Sequence, residues 1–439
     1  MSRIIDVSEL RYVSEETICG MSMGDVLEYD SELPPGMFGA YSSKDVAFAL
    51  RRPTIAPRWR LYLLHHDDTV RSEIPPEDVV LGGSYSENYQ NGQRRSVSFT
   101  LFNESGAYTP GVNGMWMNTR ARLDMGIGMP DGGVAWIHMG VFVLTSTELT
   151  HSSDRDVVSV SMSDKWALFS GASGTLQSTY EIPVNQEIGP IIEGILMSDT
   201  EAGIPLDSQP PRIHPSLYHK KTQSTISKDV GSTYADLLLE LATQLSAEMF
   251  YDSTGRLVVI PLDEVSLDSG KASDWDFLED EGEFDSLGFS FSAQDIYNRV
   301  IVIGSTASGQ YHRAEASNND AASPTSVGRI GVRTAPIIND SNITTDYLAE
   351  ERAQYELRKI LLLRSSVSVN APLNPFVAVN GIITFTSPRL GLRRERFVVQ
   401  SRSFSLDYSG TMSITASSVW NLPFLTGSGL DGDAALRIS

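Results

Sequence analysis

The chain has 439 residues, 41% hydrophobic and 20% charged: too long for one hydrophobic core and ordinary for a globular protein, so roughly two to four domains are expected. Its 55 acidic against 34 basic residues give a net charge of −21, which argues against wrapping a nucleic-acid backbone, because that needs clustered Lys and Arg to displace counterions. No apolar run approaches the roughly 20 residues of a bilayer span, Asp6 and Glu9 stand where a signal peptide needs an apolar core, and the single cysteine, Cys19, excludes an intrachain disulfide.

In chain order, residues 1–53 read as an N-terminal arm, with a loop around Pro34-Pro35-Gly36 and a short helix over Ser43–Leu50 that Arg52-Pro53 ends. Packing on a neighbouring subunit and a free lead both suit its composition. From Trp59 the text turns β-rich. Strands are expected at Trp59–Leu64, Val79–Gly83, Ser96–Leu101, Ala121–Ile127, Trp136–Leu144 and Val157–Ser163, with Arg94 and Arg95 ahead of the third. Turn residues at Pro130–Gly133 and Ser152–Arg155 separate them, and this spacing predicts a barrel or sandwich.

Trp166 opens an α+β stretch. A helical turn at Asp164–Phe169 leads to a short helix over Ile188–Met197 and a second over Ala235–Glu248, with Ser232 as its N-cap. Leu238, Leu241, Ala242 and Leu245 share one face of that second helix, and a hairpin turning at Asp252–Gly255 follows. Residues 262–288 are acidic, and the run 274–285 reads as a solvated loop. Strand character returns at Tyr297–Gly304, and residues 305–343 read as a long loop or small inserted lobe.

The helix over Asp346–Leu361 places Ala353, Leu357 and Ile360 on one face, expected to pack on the β unit that follows. That unit comprises Ser365–Asn370, Phe376–Phe385, Phe397–Leu406 and Met412–Ser417. The last two alternate apolar and polar residues around Asp407-Tyr408-Ser409-Gly410, which predicts a hairpin with one buried face. Residues 425–439 read as a flexible tail.

The search for chemistry returns no catalytic, cofactor-binding or metal-binding residue. His65 and His66 sit beside Asp67 and Asp68, but adjacent residues on a strand point to opposite faces and do not converge on one metal. His138, His151, His214 and His219 are scattered, without the spacing of a zinc motif. An EF-hand with Gly282 sixth would need Phe277 as its first ligand, and the pattern fails. Cys19 reads as a small neutral residue. Trp116 and Trp136 read as core or interface, or alternatively as platforms for a sugar ring.

Three stretches in order are similar to the tail hub family of tailed bacteriophages and related contractile injection systems. They are GVFVLTSTELTHSSDRDVVSVSMSDKWALF, then GSTYADLLLELATQLSAEMFYDSTGRLVVIP, then YNRVIVIG followed by YELRKILL, NPFVAVNGIITF and RERFVVQSRSFSLDYSGTMSITAS. The resemblance covers residues 55–420. It implies a mainly β fold with α+β parts, two small β-barrels bracketing an α+β region. Its parts would be an arm over 1–53, a first barrel over 54–165, an α+β domain over 166–290, a second barrel over 291–424 carrying the 305–343 insertion, and the tail from 425. It implies a non-enzymatic structural protein of the virion tail tip or baseplate, made in the host bacterial cytoplasm, that uses no cofactor. It also implies a homotrimeric ring joining the tail tube to the tip, through which DNA passes without sequence-specific binding. Partners would be the distal tail or tail tube protein, the tape measure protein, and tail-tip or receptor-binding proteins. The other readings of the same residues are a tail-tip glycosidase or peptidase and a carbohydrate-binding β protein. An acidic lumen is expected, keeping DNA from sticking.

Overall fold

The computed structural model describes residues 41, 43–51, 57–111, 114–153, 155–198, 205–222, 224–261, 273–290, 296–305, 311–321, 323, 325–340, 343, 345–362, 366–390 and 392–418. Expectations for residues 1–40 and 425–439, Cys19 among them, fall outside these.

The first β unit contains β1 (Arg58–Leu64), β2 (Val70–Ile74), β3 (Val79–Asn88), β4 (Arg95–Phe102), β5 (Arg120–Gly128), β6 (Val134–His151) and β7 (Asp156–Asp164). The period-2 text of Arg95–Phe102 becomes a strand whose alternate residues are buried along its whole length. The middle of the chain adds β8 (Tyr180–Ile182), β9 (Arg212–Ile213), β10 (Ile226–Lys228), β11 (Ala247–Tyr251) and β12 (Leu257–Pro261). Then come β13 (Trp275–Leu278), β14 (Ser286–Ser290), β15 (Arg299–Ser305), β16 (Tyr311–Ser317) and β17 (Ile338–Asp340). The C-terminal unit is β18 (Ser366–Pro372), β19 (Ile382–Ser387), β20 (Leu392–Leu406) and β21 (Thr411–Ser418).

The two expected β units are both present and share one 13-stranded sheet, ordered β14-β18-β21-β20-β3-β4-β7-β6-β5-β1-β2, with β19 on β20 and β13 on β19. Among the described strands, no pairing joins β2 to β3 or β13 to β14, so neither unit closes as a ring of hydrogen bonds. The joint between the units is antiparallel: Ser401–Leu406 of β20 runs against Asn88–Gly83 of β3. A Cβ at Gly83 would lie 2.4 Å from the Ser98 carbonyl oxygen, so only glycine fits where the strands press together. β20 also pairs with β19 and β21, and an irregularity between Val399 and Ser401 re-aims the strand toward its new neighbour. One hydrophobic core underlies both units. Tyr85 stacks on Phe404 across the joint at 4.6 Å, and Phe404 in turn stacks on Trp59 at 5.6 Å.

A second core lies under the Tyr234–Leu245 helix, which buries Leu237, Leu238, Leu241, Ala242 and Leu245. Its N-cap is Thr233, one residue later than expected. Thr233 accepts from the Asp236 N–H and Asp236 accepts in return from the Thr233 N–H, a reciprocal box that Ser232 has no means to make. The helix ends at Leu245, three residues before the expected end; Ser246 is left-handed at φ 50°, and β11 begins at once.

The Asp346–Leu362 helix packs elsewhere than expected. Ala349, Ala353, Leu357 and Leu361 meet Val300, Val302 and Ala316 in a third core on the β16-β15-β17 sheet, not on the C-terminal unit. The stretch 305–343, read as a loop or lobe, supplies β16 and β17 of that sheet. The acidic stretch read as a solvated loop contains β13, parallel to β19, with Trp275 and Phe277 buried. Its acids bind backbone and hydroxyls: Asp274 Oδ2 accepts from the Ile382 N–H at 2.8 Å, and Asp276 Oδ1 from the Thr384 hydroxyl at 2.5 Å.

Candidate functional surface

The outward face of the long sheet is paved with hydroxyls and amides. Following directly paired residues from strand to strand, one row reads Ser286, Asn370, Ser413, Ser403, Ser86 and Ser96. A second reads Gly288, Ser368, Thr415, Ser401 and Asn88. A third reads Ser405, Ser84, Ser98, Ser161 and Ser146. The residues of these rows are exposed or half-buried, and none is charged, from β14 at one end to β6 at the other. Their side chains satisfy one another: Ser84 with Ser98 at 2.8 Å, Ser86 with Ser96 at 2.7 Å, and the Ser413 hydroxyl to Asn370 Oδ1 at 2.6 Å. Charge lies beside the rows, as in the exposed Glu148 of β6 opposite Ser159, and in the Asp276–Arg394 pair at 2.8 Å. An exposed sheet face in a chain of net charge −21 would ordinarily carry Lys and Glu.

The charges sit on the other side of the same strands. Glu87 of β3 lies directly opposite Arg95 of β4 and Arg402 of β20, and all three are buried. Glu87 Oε1 takes Arg95 Nη2 at 2.5 Å, while Oε2 takes Arg402 Nε and Nη2 at 2.7 Å each. Arg402 also donates to the Val377 carbonyl at 2.7 Å, and Arg95 to the Tyr251 carbonyl. The carboxylate thus straddles the joint between the two β units, and Arg95 ties it to the second core. Burial pushes the Glu87 carboxyl up, but Arg402 and Arg95 outweigh it and hold it below the usual carboxylate range.

Neighbouring pairs fasten the α+β unit to this joint. Arg94 bonds Glu248 at 2.8 Å with its guanidinium 3.6 Å from the Phe250 ring centre, and Tyr89 donates to the other Glu248 oxygen. Lys165, fully buried, reaches Asp207 at 2.6 Å, Asp68 at 2.7 Å and the Gly255 carbonyl at 2.8 Å. Asp164 accepts the Arg94 and Arg95 backbone N–H groups at 2.7 and 2.9 Å. Burial nevertheless pushes its carboxyl up to about 6.

The sequence matches no family model and no curated protein. Solved structures do match. A tail protein from Neisseria meningitidis MC58 is 8% identical and aligns with TM-score 0.56 over 83% of this chain and 97% of its own. The 43 kDa tail protein of prophage MuSo2 from Shewanella oneidensis is 15% identical, with TM-score 0.53 over 82% and 98%. Prophage tail protein gp18 from Listeria monocytogenes EGD-e is 12% identical, with TM-score 0.52 over 82% and 94%. The chain has a phage tail-protein fold.

Within this tail-protein fold the residues weighed for chemistry are dispersed. His65 and His66 are exposed at the end of β1, and Asp68 turns away from them to Arg120 and Lys165. His138 bonds Asp124 at 2.6 Å, and the exposed His151 bonds Asp156 at 2.5 Å. His214 caps a one-turn helix at Pro215–Tyr218, and the exposed His219 lies 3.4 Å from Glu187. Among the described residues, no group of three or more His, Cys, Asp or Glu is placed to hold a metal. One face of Trp136 is taken by the Arg60 guanidinium at 3.9 Å, whereas Trp116 is 45% exposed. The sequence reading missed Glu87, Glu248 and Arg402. Arg94 and Arg95 were visible only as a basic pair ahead of a strand.

Proposed function

We propose that the chain is a non-enzymatic structural subunit of a phage-type tail hub, and that its hydroxyl face lines the passage taken by DNA. Three copies form a ring between the tail tube and the tip or baseplate, with the β1–β7 unit and the β18–β21 unit of each copy as its ring-forming parts. Tube, tape measure and tip proteins are its neighbours. The observation that carries the reading is the neutral face. A polyanion binds where cations cluster and is repelled where anions cluster, so a wall of self-satisfied hydroxyls neither holds nor rejects it. The tail-protein fold supports the same class. The expectation of an acidic lumen gives way here to a neutral one. Light scattering of the purified chain tests the assembly: three subunits per particle are expected, and a monomer at every concentration would sink the ring.

A further inference from the structure

The small β16-β15-β17 unit carries an uncovered strip. From Gly328 to Ile337 the chain contains Arg329, Ile330, Val332, Arg333 and Ile337 and no acid. Ile330, Val332 and Ile337 are 39%, 51% and 52% exposed, and both arginines are exposed. Large apolar residues this close together in the open make a patch, not the scattered singles of an ordinary surface. The strip is also held rigid. The buried Asn298 donates from Nδ2 to the Gly331 carbonyl at 2.8 Å and accepts the Arg333 N–H at 2.8 Å, while its own N–H donates to the Arg333 carbonyl at 2.8 Å. The Ala335 N–H reaches the Arg299 carbonyl at 2.8 Å, at the start of β15. A surface fixed in this way loses little freedom on being covered. Arg329 donates to the Ala321 carbonyl at 3.1 Å and has no ion-pair partner among the described residues. Asp320, next to Ala321, is one acid against two arginines.

The far end of β15 has the opposite sign. His312, opposite Gly304 on β16, lies 2.8 Å from Asp346 and fixes the first turn of the Asp346–Leu362 helix there. Asp346, Tyr347, Glu350 and Gln354 of that helix are all exposed, Tyr347 by 60%. Arg352, the nearest arginine, is taken by Glu356 at 2.9 Å, and Glu350 has no ion-pair partner among the described residues. The strip runs beside Arg299 and the acidic turn beside Gly304, so about 17 Å of strand separates them. At that distance they do not neutralise each other within one chain. A unit that is basic and apolar at one end, acidic and aromatic at the other, is complementary to a second copy of itself placed head to tail.

We infer that the Gly328–Ile337 strip of one copy docks on the Asp346–Gln354 face of the next. Arg329 and Arg333 meet Asp346 and Glu350, and Val332 and Ile337 cover Tyr347. This rests on the ring reading and deepens it by naming a contact between copies outside the two β units. A head-to-tail contact of this kind closes into a ring when its rotation divides the circle.

Sedimentation equilibrium of the full chain tests it, with the concentration at which the assembly half-dissociates as the readout. Arg329→Glu with Arg333→Glu should raise that concentration about tenfold, and so should Asp346→Arg with Glu350→Arg. A chain carrying all four substitutions is self-complementary again and should return to within about threefold of the parent. Val332→Ser with Ile337→Ser, which leaves every charge in place, should weaken assembly about tenfold through the apolar contact alone. An assembly indifferent to either reversal would overturn this contact and leave the ring standing, as expected if the strip serves a different tail protein. Weakening by both reversals without recovery in the fourfold variant would overturn the pairing of the two faces. A parent chain that is monomeric at every concentration would sink the ring and this contact together.

Discussion

Glu87 stands between two arginines in a place water does not reach, and the energetics of such a triad are lopsided. The group as a whole adds little net stability, because burial costs nearly as much as the pairing returns. Removing one member is different: Glu87→Gln leaves Arg95 and Arg402 facing each other across β3 without a counter-charge. A loss of about 3–5 kcal/mol is expected in chemical denaturation, against a change within about 0.5 kcal/mol for Ser403→Ala on the hydroxyl side of the same joint. Glu87 and Asp164 also push pH dependence in opposite directions. The Glu87 carboxyl is held low, so its contribution is complete above the ordinary carboxylate range and is lost as pH falls through its folded value. The Asp164 carboxyl is raised from 3.8 to about 6, so the folded state keeps that proton longer and loses stability as pH rises between those values. Asp164→Asn should therefore gain on the parent by about 2–3 kcal/mol between pH 4 and pH 6, read from denaturation midpoints across that range. A difference independent of pH would count against the assignment.

Elements divide into those whose partners are near in sequence and those whose partners are far. The hairpins closed at Asp252–Gly255 and Asp407–Gly410, the Asp346–Leu362 helix and most strands of the first unit were legible because turn residues and period-2 text are local. The β3–β20 pairing was not: Arg402 and Glu87 are 315 residues apart, and periodicity says which face of a strand is buried but not which strand lies beside it. The same limit put the Asp346–Leu362 helix on the wrong sheet. Its apolar stripe was right, but β15 and β16, rather than the C-terminal strands, receive it. Leu357→Asp should accordingly unfold that small unit alone. Hydrogen exchange is expected to speed in β15 and β16 while β3, β4 and β20 stay protected. The hydroxyl face is written openly, in SVSF, VVSVSMS, SRSFS and SITASS, yet the alternation points first to its apolar half. Placing lysines at Ser86, Ser161 and Ser413 should leave the fold intact, because these side chains point outward, and should confer retention of duplex DNA that fades with salt. Retention already present in the parent chain would speak against a neutral passage.

At the scale of the molecule, two of the three cores are fastened by buried charge while the hydroxyl rows on the outer face of the main sheet carry none. The rows thus place uncharged hydroxyls where an exposed sheet face usually carries charge. It makes sense for a wall whose inner parts must hold position and whose surface must not hold a passing polyanion. The sequence shows the net acidity but not where it lies, since location depends on the joint between the β units. The arrangement becomes a function only if the copies turn these faces toward a common axis. Electron cryomicroscopy of the purified assembly measures that directly. A three-subunit ring whose central hole is bordered by Ser86, Ser403 and Ser413 is the expected map, and a ring with those residues on its outer surface, or a solitary compact chain, would contradict it.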